Sequence, residues 1–217
     1  MQRKINVYFN WSALGCFLSA ALHFQRQIDL QVQALFFSNG HWLIDENEPI
    51  GKLFFYRGPK IVLAAFGAVL LLYWLWLRFQ HKKSNWFRME LYVLICLLVV
   101  PALIALGKIV TNEPCPKELY VFGGPLLDFS TGGRCFPGGH ASGFFSLFSL
   151  YWASRKKTWG LSVGLFFGSV FGIYQMAKGA HFLSDTLFTA FFSWWVCQLI
   201  FHFYQKGFGQ RSANRGI

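Results

Sequence analysis

Residues 91–107 read LYVLICLLVVPALIALG and carry no charged side chain. A helix needs ~20 apolar residues to cross the hydrocarbon core of a bilayer, with a working range of about 17–25. Residues 61–77, IVLAAFGAVLLLYWLWL, are equally free of charge. Working outward from these two, the stretches 8–24, 89–107, 138–154, 159–177 and 182–204 join 61–77 as six apolar segments. Six such segments in 217 residues leave almost nothing to cover them in water, which argues against a soluble helical core. The expected fold is therefore all-α: one polytopic membrane domain over residues 1–217 with six transmembrane helices.

Composition agrees. Hydrophobic residues make up 54% of the chain, aromatic residues 20% and charged residues 13%. A soluble domain averages roughly 25% charged residues. A disordered chain needs the opposite balance, low hydrophobicity and much charge. The few charges are lopsided, 20 Lys and Arg against 9 Asp and Glu, for a net +11. Basic residues near span ends mark the cytoplasmic side. One alternating set of connections holds Arg3, Lys4, Arg78, Lys82, Lys83 and Arg88, then Arg155, Lys156, Lys157, Lys206, Arg211 and Arg215, with Glu90 as its one acid. The other set holds eight basic and eight acidic residues. The basic set is read as cytoplasmic, which puts both termini inside and the balanced set outside. In a bacterium this is the inner membrane, with the balanced side facing the periplasm. The positive excess is thus a topology signal, and no nucleic-acid-binding motif accompanies it.

Arg3-Lys4 followed by the apolar residues 11–22 has the outline of a signal peptide, but no good cleavage site follows, so the segment is read as a retained span. Residues 29–37 alternate loosely and are expected to form a short helix on the outer surface. The longest irregular stretch is 114–139, within an outer loop spanning 111–139. Long irregular loops in compact domains tend to be functional.

Chemistry-bearing residues gather at the outer ends of the last four segments. Lys108 follows the 89–107 segment, and Cys135-Phe136-Pro137-Gly138-Gly139-His140 opens the next. Lys178-Gly179-Ala180-His181 closes the turn before the last segment, and Asp185 follows His181 by four residues, on the same helical face. An ionisable group inside a span is expensive to bury and marks a functional site. A carboxylate fixes the tautomer of an imidazole and supports its positive form, which makes a nucleophile or base of it. A second His can protonate a leaving oxygen. Glycines at a helix start let an anion approach the backbone amides, and Lys108 and Lys178 add positive charge. The implied chemistry is phosphoryl transfer through a phosphohistidine. No metal-ligand spacing such as CxxC or HExxH is present, so no metal or other cofactor is expected. His23, His41, His81 and His202 have no acidic neighbour at helical spacing and are read as structural. A transporter would show inverted repeats and mid-membrane charge, and neither is visible.

These residues resemble the motifs of the type 2 phosphatidic acid phosphatase (PAP2) superfamily, whose helical core is shared with vanadium haloperoxidases. The family pattern K-x6-R-P reads here as Lys108, six residues, then Cys115-Pro116. Its P-S-G-H reads Pro137-Gly138-Gly139-His140. Its S-R-x5-H-x3-D reads Tyr174-Gln175, five residues, His181, three residues, Asp185. The resemblance implies His181 as nucleophile, Asp185 orienting it, and His140 as proton donor. It implies Lys108 and the Gly138 amide as phosphate ligands, with Gly139 beside them. It also implies a lipid phosphate or pyrophosphate as substrate. Candidates within the family are undecaprenyl pyrophosphate, phosphatidylglycerol phosphate, phosphatidic acid and lipid A phosphates. Water or a second lipid can be the acceptor, and the motifs leave that choice and the oligomeric state open.

Two arginines of the pattern are missing, with Cys115 and Gln175 in their places. Neither residue replaces a guanidinium. Lys178 and Arg134 are the candidate substitutes, and loss of both charges would weaken activity. Cys16, Cys96 and Cys197 fall within apolar segments and are read as packing residues. Cys115 and Cys135 share the outer loop, where an oxidising compartment permits a disulfide between them.

Overall fold

The computed structural model describes residues 2–80, 85–129 and 132–213; Lys82, Lys83, Arg215 and His81 lie outside the described residues. The chain is predominantly helical. Helix α1 (Gln2–Gln25) leads through Arg26 into α2 (Gln27–Ala34). A two-strand hairpin follows, β1 (Phe37–Ser38) and β2 (His41–Trp42). Its turn is Asn39-Gly40, both at positive φ (52° and 78°), the backbone that Asn-Gly favours in tight hairpins. Helix α3 (Pro49–Lys52) runs through a π-helical turn, Leu53–Arg57, into α4 (Gly58–Phe79).

Helix α5 (Asn85–Thr111) ends where Asn112 takes φ 50°, the left-handed conformation in which Asn often closes a helix. The outer loop contains 3-10 turns at Pro116–Glu118 and Tyr120–Phe122. The next segment is broken: α6 (Gly139–Phe145), a 3-10 turn at Ser146–Phe148, then α7 (Ser149–Ala153). Two long helices complete the chain, α8 (Thr158–Ala177) and α9 (Leu183–Ala213).

Among the described residues, four helical stretches are long and apolar enough to cross a membrane: Pro49–Phe79, Met89–Glu118, Thr158–Ala177 and Leu183–Lys206. Many of their apolar side chains face outward, among them Ile61, Val62, Leu72, Leu98 and Phe166. Such continuous exposed apolar surface belongs against lipid. The expected segments 8–24 and 138–154 are also helical, as α1 and the α6–α7 run, but neither is among these four. The α6–α7 run is interrupted by serines whose hydroxyls bond back to the chain, Ser142 to the Gly139 oxygen (2.7 Å) and Ser146 to the Gly143 oxygen (2.6 Å). Such local bonds compete with regular helix and bend it.

The core packs α5 residues Tyr92, Cys96 and Val100 against Phe145, Phe148 and Trp152 of the broken helix. Val196, Cys197 and Phe201 of α9 close it. Helix α8 lies unusually near its neighbours along Gly160, Gly164, Gly168 and Gly172. A Cβ at Gly168 would sit 2.3 Å from Phe145, and one at Gly172 would sit 2.3 Å from Thr186. Small residues at every fourth position let membrane helices approach closely, and this ridge brings the α8 end next to the α9 start.

The short surface helix expected over 29–37 is α2, which ends at Ala34 and keeps Gln31 and Ala34 exposed. Asp29 and Gln33 on α2 are fully buried, and Gln33 Nε2 donates to the Met176 oxygen (2.6 Å). These two polar positions of that pattern face inward because polar partners wait there.

Candidate active site

The ends of α5, α6, α8 and α9 meet in one place. Gly179 makes the sharp turn between α8 and α9 with φ 70°, and a Cβ there would lie 2.4 Å from the Trp42 ring. Only glycine meets both demands, the left-handed backbone and the close approach of the hairpin. Its oxygen accepts from the Lys117 amide (3.0 Å), which ties the outer loop over the turn. Trp42 also packs with Leu119, Phe122 and Phe182.

This frame holds a line of buried polar groups. His140 Nδ1 faces His181 Nε2 at 3.4 Å. His181 Nδ1 lies 3.3 Å from Asp185 Oδ2, which also accepts the Phe182 amide (2.9 Å). With its Nδ1 proton directed to Asp185, His181 presents a bare Nε2 to the cavity side, and His140 Nδ1–H can donate to it. Burial holds the His181 imidazole below its ordinary pKa; the hydrogen bond it donates to Asp185 opposes this, and the Lys108 charge adds to the lowering. His181 is therefore neutral at pH 7, with a lone pair on Nε2.

His23 corrects the structural reading of that residue. Its Nδ1 stands 3.4 Å from Asp185 Oδ1 and 3.0 Å from Ser184 Oγ. Ser184 in turn donates its amide (2.9 Å) and its hydroxyl to Asp29. Burial pushes the Asp29 carboxyl up in pKa, against the pull of the two Ser184 bonds. The nearest sequence signal was the pair His23 and Asp29, two polar residues flanking the short break between α1 and α2.

A cavity of about 460 Å³ opens beside His140 and His181. Six cations line it: Lys52, Arg57, Lys108, Lys117, Arg134 and Lys178, against two acids, Glu46 and Glu118. The connections expected on the outer side are neutral in sum, yet six cations meet only two acids here. Of the other acids, Glu113 pairs with Arg26 (2.7 Å), and Asp29 and Asp185 stand in the buried line. Lys52, Arg57 and Lys117 were not legible as site residues. Their only signal was a cluster of cations just before the uncharged 61–77 segment and within the irregular loop. Arg57 ends the π-helical turn, a feature often found at functional sites.

Of the phosphate-binding candidates, Lys108, Lys178 and Arg134 line the cavity. Lys108 Nζ donates to the Arg134 oxygen (2.7 Å). Burial lowers the Lys178 pKa, with Glu46 opposing. Gly138 is corrected: its amide is committed to the Asp185 oxygen (3.3 Å) instead of being free for an anion. Gly139 has a steric task, since a Cβ there would lie 2.9 Å from Lys108 Cε. Gln175 is buried outside the cavity lining, and neither of its amide atoms finds a hydrogen-bond partner among the described residues.

The disulfide expected between Cys115 and Cys135 is not formed; both are free thiols. Cys135 lies beside the Cys115 side chain, donates from Sγ to the Ala180 oxygen (3.0 Å) and lies 3.5 Å from His181 Nδ1. Donor atoms of Cys135, His181 and Asp185 fall within 4.8 Å of one another, close enough to share a metal ion. Metal binding needs a thiolate, however, and burial pushes the Cys135 thiol well up in pKa.

Fold and site together define a helical membrane protein with a paired-histidine, anion-attracting centre at one end of its bundle. The chain belongs to the PAP2 superfamily, which residues 89–208 match, a range holding His140, His181, Asp185, Lys108 and Lys178. Among solved structures it is similar to a transmembrane PAP2-type phosphatidylglycerolphosphate phosphatase from Bacillus subtilis, with 18% identity, 96% of each chain covered and a TM-score of 0.51. That likeness is one of fold. No curated protein sequence matches the chain.

Proposed function

We propose that this protein is a lipid-phosphate phosphatase that works through a phosphohistidine on His181. The observation that carries the reading is the His140–His181 pair, 3.4 Å apart, at a cavity lined by six cations. A phosphate drawn in by those cations meets His181 Nε2, whose lone pair attacks phosphorus as the ester P–O bond breaks. His140, protonated as the phosphate's negative charge arrives, gives that proton to the departing oxygen and returns to the neutral imidazole. A water then attacks the phosphorus with His140 taking the proton, the P–N bond breaks, and phosphate leaves. Lys178, Lys108 and Arg134 stabilise the charge on the non-bridging oxygens. No metal enters these steps.

A lipid substrate fits the surroundings. Tyr56 and Arg57 line the cavity, while Ile50, Leu53 and Phe54 on the same helical stretch are exposed and apolar. Acyl chains can stay in the bilayer while the headgroup reaches the cations. The distribution of basic residues supports six spans, both termini in the cytoplasm, and a site on the outer, periplasmic face of a bacterial inner membrane. Phosphatidylglycerol phosphate is the first substrate to try, given the structural neighbour.

The test is phosphate release by purified protein from phosphatidylglycerol phosphate, phosphatidic acid and undecaprenyl pyrophosphate, with chelator present. Wild type is expected to be active and His181→Ala and His140→Ala inactive. Equal activity of His181→Ala and wild type sinks the mechanism, and loss of wild-type activity in chelator points to a metal. Adding a labelled acceptor lipid separates hydrolysis from phosphotransfer.

A further inference from the structure

The opposite end of the bundle has its own cavity, larger than the first at about 780 Å³. It is formed by the start of α5, the α7–α8 connection and the late part of α9. The catalytic candidates occupy the other ends of those helices. Its walls are apolar and aromatic, with Met89, Trp152, Trp159 and Phe201, and its rim is Arg155-Lys156-Lys157. Among the described residues, no carboxylate lines it.

The rim has an unusual backbone. The Lys156 amide closes α7 onto the Tyr151 oxygen (2.7 Å), and the Arg155 amide bonds the Trp152 oxygen (3.3 Å). Helix ends of this kind normally place glycine in the left-handed region. Here Arg155 and Lys156 stand there in succession, at φ 59° and 65°. Two residues with a Cβ hold a conformation that disfavours one. Glycine would relieve the strain but would also remove two cations from the rim. Lys156 Nζ sits 5.3 Å over the Trp152 ring, so its charge is held at the cavity edge.

We infer that this cavity is a binding site for an anionic phospholipid of the inner leaflet, its phosphate on Arg155–Lys157 and an acyl chain against Trp159 and Phe201. Charge and polarity select this occupant. Three adjacent cations without an acid call for an anion, and the apolar walls call for a chain attached to it. Basic pockets between membrane helices on the cytoplasmic side bind anionic headgroups for this reason. The residues are three of the twelve cations that mark the cytoplasmic side. The inference goes beyond the phosphatase reading and does not depend on it.

The test uses the full-length protein in nanodiscs containing phosphatidylglycerol and phosphatidylcholine, with retained lipid read by native mass spectrometry. Wild type is expected to retain phosphatidylglycerol over phosphatidylcholine by about tenfold or more. The variant Arg155→Gln/Lys156→Gln/Lys157→Gln loses that preference while phosphate release is unchanged. Trp159→Ser keeps every cation, alters an exposed position, and also weakens retention. Lys178→Gln, at the other end, leaves retention as in wild type. Four outcomes overturn the proposal: no preference in wild type, full retention by both inner-end variants, loss of retention in Lys178→Gln, or displacement of the lipid by soluble glycerol phosphate.

Discussion

His23 Nδ1 lies 3.4 Å from Asp185 Oδ1, so the carboxylate that holds His181 is itself held from its other oxygen by a residue 162 positions away. One oxygen faces each imidazole. The arrangement fixes the rotation of the carboxylate, and thereby the direction of the His181 ring. Replacing His23 with Asn should lower kcat by roughly tenfold with little change in KM, the usual effect of removing a group that orients a catalytic one. Steady-state kinetics on a short-chain lipid phosphate checks this. An unchanged kcat would remove His23 from the orienting line.

Protonation of His181 sets a second expectation. Burial depresses its pKa below the usual ~6.5, and the neutral form is the nucleophile. The acid limb of kcat should therefore fall below pH ~6.5. Asp185 raises that pKa, so Asp185→Asn should move the limb to still lower pH while reducing the rate. Stability runs the same way. Below pH ~6.5 the unfolded chain takes up a proton that folded His181 refuses, so this residue's contribution is present above that pH and is lost as pH falls. A pH–rate profile of both proteins is the measurement, and a limb moving upward in the variant contradicts the assignment.

The two substitutes for the missing arginines should differ. Lys178 is buried and Arg134 exposed, although both line the cavity. Charge acts more strongly where water is excluded. Lys178→Gln should reduce kcat/KM by about a hundredfold and Arg134→Gln by less than about tenfold. Equal losses would mean that the two cations share the phosphate.

Asp29 caps the start of α9 from another helix, through the amide and hydroxyl of Ser184. Asp29→Ala should destabilise the protein by ~2 kcal/mol, since it strips two charged hydrogen bonds from buried donors. Thermal unfolding in detergent reads this directly. Asp29→Asn should recover part of the loss, because its amide oxygen still accepts one bond.

Gly179→Ala should destabilise by ~1–3 kcal/mol, since it adds a Cβ both to a left-handed residue and against Trp42. Activity should fall with it, as His181 lies two residues on. Trp42→Ala in the same background relieves only the steric part, so the double variant should regain some stability but not all.

Much of the molecule could be read from residue order. Uncharged runs such as 91–107 announced membrane helices because no soluble fold could hide them. The i,i+4 spacing of His181 and Asp185 put them on one helical face, and the spacing of Lys108, His140 and His181 matched a known pattern. These are local or pattern signals, which a linear sequence preserves. The loop shared by Cys115 and Cys135 does bring their side chains together, but as free thiols, and Cys135 also reaches Ala180 and His181.

By itself, then, the sequence determined the membrane-embedded helical class, the orientation signal, and the His140, His181 and Asp185 set. Tertiary structure alone decided that His23, Ser184 and Asp29 stand behind Asp185, and that Lys52, Arg57 and Lys117 join the cationic cavity. The physical reason is range. Helical periodicity and charge runs act over a few residues. The contacts of α1 with α9, and of the residues before α4 with the outer loop, come from packing between segments far apart in the chain. A net charge of zero on the outer side concealed a cationic cavity, because a sum over residues carries no positions.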